Sequence, residues 1–349
     1  MAGPFVSVRD FAAAAFLTAL TTYLLVVGEP ILMPFVFAIF VSYFVSALAS
    51  ATGRLRIRGR PLPRGLRLGV AIVVLFVLGW LAVSLVMDNV GRVAAAAPVY
   101  EQNLRQRADQ LGGRFGVDIL SRIQALFEGT SLGGLVRGLA RGLSSMLGSL
   151  GAVSIYVVFL LVERHSMDQK IAALFPDAAR EALVHRILER IGKEIQSYVL
   201  YKTLFSAVTA LASYAIMKAV GVDFAEFWSL LIFALNFIPY IGAWLGTIFP
   251  AVLTLVQFET LRPFLVVTFG LAAVQFLLGS IIEPRIMGSG LNLSPVVMLL
   301  SLGAWGTVWG IPGMFLAVPL MVAVMIVCSH FEATRPIAVL MSADGEPPR

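Results

Sequence analysis

Uninterrupted runs of hydrophobic residues follow one another along the chain and are joined by polar links. A helix needs about 20 mostly apolar residues to cross a bilayer, and about eight segments approach or exceed that length. They lie at residues 11–27, 31–49, 68–87, 144–162, 199–220, 227–258, 262–282 and 294–328. The pattern predicts an all-α, polytopic membrane protein. Because the number of crossings is even, both termini are expected on the same side of the membrane.

Two of these segments, residues 227–258 and 294–328, are too long for one straight crossing and contain helix breakers. Pro239 and Pro250 divide the first, and several glycines with Pro312 and Pro319 divide the second. A proline inside a helix removes a backbone hydrogen bond, and hydrocarbon offers no water to replace it. Each segment is therefore either one long broken helix or a re-entrant pair of helices.

Two polar stretches, residues 88–143 and 166–198, have apolar residues at helical spacing and charged residues between them. This periodicity predicts extramembrane amphipathic helices. The predicted organisation has N-terminal spans with a basic loop (1–87), an extramembrane segment (88–143), and a fourth span with a cytoplasmic amphipathic helix (144–198). A C-terminal transmembrane core (199–328) and a polar tail (329–349) follow.

The composition excludes a soluble protein: 59% of residues are hydrophobic, 13% are charged, and the mean hydropathy is +0.89. Soluble domains contain about a quarter charged residues. The net charge is +6, and six arginines fall in one short loop, at positions 54, 56, 58, 60, 64 and 67. The positive-inside rule places this loop, and hence both termini, in the cytoplasm. Topology thus explains the basic charge, and no nucleic-acid partner is expected.

No enzymatic or metal-binding pattern accompanies these spans. His165, His185 and His330 lack a metal-ligand spacing, and no nucleotide-binding or hydrolase motif is present. The single cysteine, Cys328, excludes a disulfide framework within the chain. The sequence therefore predicts neither an enzyme nor a bound cofactor or metal, and any transport would be passive or ion-coupled.

The polar and backbone-breaking residues of the C-terminal spans are the candidates for lining a solute path. The predicted path residues are Asn236, Pro239, Tyr240, Gly242, Gly246, Gln275, Gly310, Pro312, Gly313 and Pro319. Irregular backbone at membrane depth survives where it lines a cavity or is covered by protein. The alternative is structural, since Gly-x-x-x-Gly also allows close helix packing and proline also produces simple kinks.

Glu283, followed by Pro284 and Arg285, is the candidate for ion or proton coupling. Ionisable residues among apolar spans are costly and mark transport pathways or paired charges. The alternative is a helix-end ion pair between Glu283 and Arg285 at the interface. Lys202 lies near one end of its predicted span, where its side chain could reach the membrane surface. Glu163 and Gln257 also lie near span ends.

Three motifs together resemble the AI-2E family of autoinducer-2 exporter-like permeases. They are Pro-Tyr-Ile-Gly at 239–242, Glu-Pro-Arg-Ile-Met-Gly at 283–288, and Gly-x-Pro-Gly-x-x-x-Ala-Val-Pro at 310–319. The resemblance covers essentially the whole chain. It implies a multi-pass plasma-membrane protein that forms homo-oligomers in the lipid bilayer and exports autoinducer-2 or another small solute.

Two other functions stay open beside export. Some members of the AI-2E family are described as sodium/proton antiporters, and here Glu283 would be the coupling residue. A protein of another class, a structural or assembly protein, would use segments 88–143 and 166–198 as an oligomeric collar. Flux measured in proteoliposomes distinguishes transport from assembly.

Overall fold

The structure is a computed structural model that describes residues 8–51, 56–57, 60–61, 63–115, 150–164, 166–287 and 292–347. Its helices are α1 (Val8–Val27), α2 (Glu29–Ala51), α3 (Arg64–Phe115), α4 (Leu150–Glu163), α5 (Met167–Leu174), α6 (Ala178–Val220), α7 (Ala225–Leu235), α8 (Ile241–Gln257), α9 (Leu261–Gln275), α10 (Glu283–Met287), α11 (Pro295–Ser329) and α12 (Arg335–Met341). A π-helical segment, Phe276–Ile282, joins α9 to α10. Two short strands, β1 (Arg56–Ile57) and β2 (Arg60–Pro61), pair antiparallel.

Five stretches of the described helices are long and apolar enough to cross a membrane. They are Glu29–Ala49, Gly65–Ala82, Ala178–Val220, Leu261–Ile286 and Pro295–Ser329. Counting α4 and α5 as one span bent by 68° gives a sixth. Shorter apolar helices at Ala15–Val27, Ala225–Leu235 and Ile241–Gln257 account for the remaining predicted segments. The predicted polytopic helical membrane protein is confirmed.

Two helices extend across changes of polarity at which the sequence pattern predicts the end of one segment and the start of the next. Helix α3 continues beyond residue 87 to Phe115, and α6 joins the amphipathic stretch before residue 198 to the apolar run after it. A change from polar to apolar residues alters the preferred surroundings of a helix but not its backbone preference. No proline interrupts α6, so the helix continues. The part of segment 88–143 after Phe115 lies outside the described residues.

The chain divides into two compact units. The first unit comprises Met1–Tyr43, Ser149–Ile195 and Asn292–Arg349, and the second comprises Phe44–Gly148 and Gln196–Leu291. Each contains helices that pack on one another, and α2 and α6 each contribute residues to both.

In the first unit, α2 packs against α4 through a small apolar cluster. Ala38, Val153 and Val157 are buried there. The ring of Phe37 lies 5.4 Å from that of Phe315 on α11, so that α11 belongs to the same packed group. Helix α12 packs on α11.

Helix α11 is not one continuous helix. Trp309 has φ −128° and ψ 18°, and Gly310 has φ 60° and ψ −142°, so that helical geometry is lost between residues 308 and 311. The buried indole of Trp309 donates from Nε1 to the carbonyl oxygen of Leu25, 3.0 Å away at the end of α1. The predicted break in this segment is present, and the neighbouring helix packs at the same point.

In the second unit, α7 and α8 form a hairpin. The side chain of Gln257, at the end of α8, accepts from the backbone N–H of Asp223 and donates to the carbonyl of Gly221, just before α7. The start of α7 and the end of α8 therefore lie together. Helix α7 has 11 residues, about 16 Å at 1.5 Å per residue, which is about half the hydrocarbon thickness of 30 Å. The segment is therefore two helices folded back on each other and not one long broken helix. Helix α8 also packs on α9 and α3.

Candidate functional site

The C-terminal half of α6 has a buried polar face. Its members share spacings of three or four residues and little or no exposure: Tyr198, Lys202, Ser206, Thr209 and Ser213. Residues at these spacings lie on one side of a helix. The opposite side is apolar and exposed, with Leu200, Leu204, Val208 and Leu211. Apolar residues outside and polar residues inside is the arrangement of a helix with lipid on one side and a polar interior on the other.

Lys202 forms a buried ion pair with Glu283. Their Nζ and Oε1 atoms are 2.6 Å apart, and the two side chains are 9% and 13% exposed. Two expectations from the sequence are corrected here. Lys202 lies within the long helix α6, and its side chain is buried against Glu283 and does not extend outward. Glu283 pairs with Lys202 on another helix, whereas Arg285 is exposed.

The tip of the α7–α8 hairpin meets the polar face of α6. Asn236, which ends α7, is buried and donates from Nδ2 to Oγ of Ser206 at 3.1 Å. Ser206 lies one helical turn from Lys202, so the tip and the ion pair lie about one turn, some 6 Å, apart along α6. Pro239 and Tyr240 complete the tip. Tyr240 is exposed and has φ 62°, an uncommon conformation for a residue with a side chain.

Gly242 and Gly246 are closely packed against residues of α7 and α9. A Cβ atom at Gly242 would lie 1.9 Å from the carbonyl oxygen of Leu235, so no other residue fits without moving the tip. A Cβ at Gly246 would lie 3.1 Å from Ile232 and 3.2 Å from Nε2 of Gln275. Close packing explains both glycines, and their role in a solute path stays a prediction.

Several buried polar atoms of the second unit have no hydrogen-bond partner among the described residues. They are Nε of Arg67, Oη of Tyr198, Oγ of Ser213, Nε1 of Trp228, Oγ1 of Thr268 and Nε2 of Gln275. An unsatisfied buried donor costs about 1–3 kcal/mol. A buried polar group without a hydrogen-bond partner requires an explanation. One explanation is that the group exchanges hydrogen-bond partners between other side chains and a solute.

A π-helical segment lies between Gln275 and Glu283. Residues Phe276–Ile282 wind with the wider π repeat. Segments of this kind are rare and occur frequently at functional sites. Here the segment directly precedes Glu283, which pairs with Lys202.

The remaining predicted path residues belong to the first unit. Gly310 provides the positive φ of the α11 break. A Cβ at Gly313 would lie 2.0 Å from the carbonyl oxygen of Trp305. Pro312 lies just after the break, and Pro319 is buried within the second half of α11. These residues shape the backbone of α11.

The polar residues near span ends have structural partners. Gln257 closes the base of the hairpin, and Glu163 pairs with Lys170. The sequence pattern did not indicate Ser206, Thr209 and Ser213, because small hydroxyl residues are unremarkable one at a time. Their common spacing with Lys202 along α6 is the signal that could have found them. In the described part of the chain, no group of three or more His, Cys, Asp or Glu residues could hold a metal ion.

Long apolar helices, a buried charge pair and buried polar side chains define an integral membrane protein. The sequence model of one protein family, described as AI-2E family transporter, matches residues 12–333 of this chain. The chain therefore belongs to the AI-2E family. All three motifs noted in the sequence fall within the matched range.

Curated relatives of the chain are transport proteins by name. The "AI-2 transport protein TqsA" of Escherichia coli K12 is 29% identical over 316 residues, which cover 89% of each chain. A "Putative transport protein" of Haemophilus influenzae is 29% identical over 321 residues, 89% of this chain and 90% of that protein. "Putative transport protein YhhT" of Escherichia coli K12 is 35% identical over 183 residues, 52% of this chain and 51% of that protein.

Proposed function

We propose that this protein exports a small polar solute such as autoinducer-2 across the cell membrane. It has no enzymatic activity, and both termini lie in the cytoplasm. Solute moves along the polar face of α6, and the tip of the α7–α8 hairpin controls passage. The name of the Escherichia coli relative supports the choice of autoinducer-2 as the first solute to test.

The observation that carries this proposal is the buried pair of Lys202 and Glu283 beside the hairpin tip. Ionisable residues within transmembrane segments are rare because burying each one is costly. An apolar pair of similar volume would be at least as stable in many proteins. Two buried charges at this position are therefore best explained by a role in binding or moving a polar solute or ion.

Proteoliposomes test export directly. Vesicles loaded with autoinducer-2 should release it faster when they contain this protein than when they contain no protein. The Lys202→Met/Glu283→Gln double variant should reduce that release by about tenfold or more, because it removes both charges. Release from wild-type vesicles at the protein-free rate would refute export of this solute.

A second candidate function is cation/proton antiport, and the same ion pair favours it. A carboxylate that can exchange its lysine partner for a proton or a cation would couple the two fluxes. Sodium uptake into acid-loaded vesicles should then depend on pH in the wild type and lose that dependence in Glu283→Gln. An unchanged pH dependence in this variant would exclude Glu283 as the coupling group.

Homo-oligomerisation is part of the proposal, and flux through the intact oligomer separates a transporter from an assembly protein. Mass measurement in detergent or lipid nanodiscs should give a multiple of the 37.6 kDa chain. An intact oligomer without flux of autoinducer-2, sodium or protons would favour an assembly protein over a transporter.

A further inference from the structure

The net positive charge of the chain is concentrated in the segment between α2 and α3. The chain contains 26 basic and 20 acidic residues, and six of the basic ones are the arginines of residues 54–67. The 20 basic residues elsewhere therefore match the 20 acidic residues in number. No Asp or Glu lies between Glu29 and Asp88, so these arginines have no acidic residue near them in the sequence. The whole excess of charge belongs to one short segment.

This segment is held at the boundary between membrane and water. Residues 50–64 join two helices that are long and apolar enough to cross a membrane, Glu29–Ala49 and Gly65–Ala82. The strands β1 and β2 pair within this link, so the chain folds back on itself and the backbones of Arg56 and Arg60 lie close together. Because both ends of so short a link enter the bilayer, phospholipid headgroups are the anions that its arginines meet.

Arg67, in the first turn of α3, has no carboxylate partner within the described part of the chain. Its side chain is partly buried, and its Nε has no hydrogen-bond partner among the described residues. Five other basic side chains form ion pairs with carboxylates: Lys170, Arg180, Arg190, Lys202 and Lys218. A buried donor on a charged group is costly when it has no acceptor. An acceptor from outside the protein would therefore stabilise Arg67.

We propose that Arg56, Arg60, Arg64 and Arg67 form a site for the phosphate groups of anionic phospholipids at this membrane surface. The inference does not depend on which solute the protein transports. A guanidinium group binds two phosphate oxygens at once, and clusters of about four to eight basic residues beside a transmembrane helix are typical of anionic-lipid contacts. A zwitterionic lipid adds a cation that the arginines repel, so the site selects lipids of net negative charge.

Lipid titration of the purified protein in a neutral detergent tests this site. The melting temperature should rise to a plateau with added dioleoylphosphatidylglycerol, and the midpoint of the rise gives a half-saturating lipid concentration. That concentration should increase about fivefold or more in Arg56→Gln/Arg60→Gln, because two of the positive charges are lost. Four arginines of the segment remain in this variant and preserve the orientation of the protein in the membrane.

Arg180→Gln/Arg186→Gln is the matched control for the loss of two charges. Both arginines are exposed and belong to residues 166–198, where five basic and five acidic residues balance. The half-saturating lipid concentration of this variant should stay close to that of the wild type. Equal weakening in the two double variants would overturn the site, because the lipid would then respond only to the net charge of the protein.

Measurements on the wild type keep the proposal testable if Arg56→Gln/Arg60→Gln does not fold. Raising NaCl from about 0.1 to 0.5 M shortens the Debye length and should increase the half-saturating lipid concentration about fivefold or more. Dioleoylphosphatidylcholine and inorganic phosphate should each stabilise the protein far less than dioleoylphosphatidylglycerol does. A response that is insensitive to salt or equally strong with phosphatidylcholine would overturn the proposal. Equal stabilisation by inorganic phosphate would also overturn it, since the site would then bind a free anion and not a lipid.

Discussion

Lys202 and Glu283 lie 81 residues apart in the chain, yet their side chains form a 2.6 Å ion pair within the second unit. Breaking a buried pair leaves one charge without a partner and costs about 3–5 kcal/mol. We therefore expect Lys202→Met and Glu283→Gln to lower the melting temperature strongly as single variants. The double variant should recover most of the loss, because no unpaired charge remains. Thermal unfolding in detergent measures all three.

An exposed pair provides the matched control. Lys218 and Glu226 also join α6 to a neighbouring helix, at 2.8 Å, but their side chains are 61% and 45% exposed. Solvent screens such pairs, and they contribute little. Lys218→Met should leave the melting temperature nearly unchanged. Similar losses for Lys218→Met and Lys202→Met would contradict the assignment of a special role to the buried pair.

Gly310 should tolerate substitution poorly. Its φ of 60° and ψ of −142° fall in a region that residues with side chains rarely adopt. Gly310→Ala should therefore lower the free energy of unfolding by about 1–3 kcal/mol, or straighten α11. Gly303→Ala on the same helix is the control, because its Cβ would meet no atom within 4 Å. Equal effects of the two changes would show that the break does not depend on Gly310.

Trp309 should hold α1 to α11 through its indole N–H. The bond to the carbonyl of Leu25 is 3.0 Å long and satisfies an oxygen near the C-terminal end of α1. Trp309→Phe keeps an aromatic ring but loses the bond, at a cost of about 1 kcal/mol. Trp305→Phe, whose ring lies 5.0 Å from that of Trp309, is the control. Hydrogen exchange within residues 20–27 should increase in the first variant and not in the second.

Asp344 should make the C-terminal segment sensitive to acid. The Asn292 amide donates to its carboxylate at 2.7 Å and, with the backbone N–H of Glu346, holds the pKa of Asp344 below its usual range. Because the pKa of Asp344 is lowered in the folded state, the contact stabilises the segment at pH values above the ordinary pKa of a carboxyl group. This stabilisation is lost as the pH falls from there through the lowered pKa.

Hydrogen exchange of residues 342–346 therefore should not change between pH 8 and 5, after correction for intrinsic rates, and should rise below about pH 4. Asp344→Asn should remove the acid-dependent step. A rise already between pH 7 and 5 would indicate that another group controls this segment.

The apolar spans and their breaks could be read from the sequence because both are local properties. The breaks at Pro239 and Gly310 were predicted correctly, whereas the predicted breaks at Pro250 and Pro319 were wrong, because α8 and α11 continue through these prolines. The ends of α3 and α6 could not be predicted from the polarity pattern, because a helix continues through a change of polarity as long as its backbone hydrogen bonds are satisfied.

The ion-pair partner of Glu283 could not be predicted from the sequence. Arg285 is its neighbour in sequence, whereas Lys202 becomes its neighbour only when α6 and the end of α9 pack in one register. The sequence by itself determined that this is a helical membrane protein with interrupted C-terminal spans, since hydrophobicity and backbone breaking act residue by residue. Tertiary structure decided which face of α6 is buried, that α7 and α8 form a hairpin, and that Lys202 meets Glu283. These features depend on the rotation and register of helices, which only packing between distant segments sets.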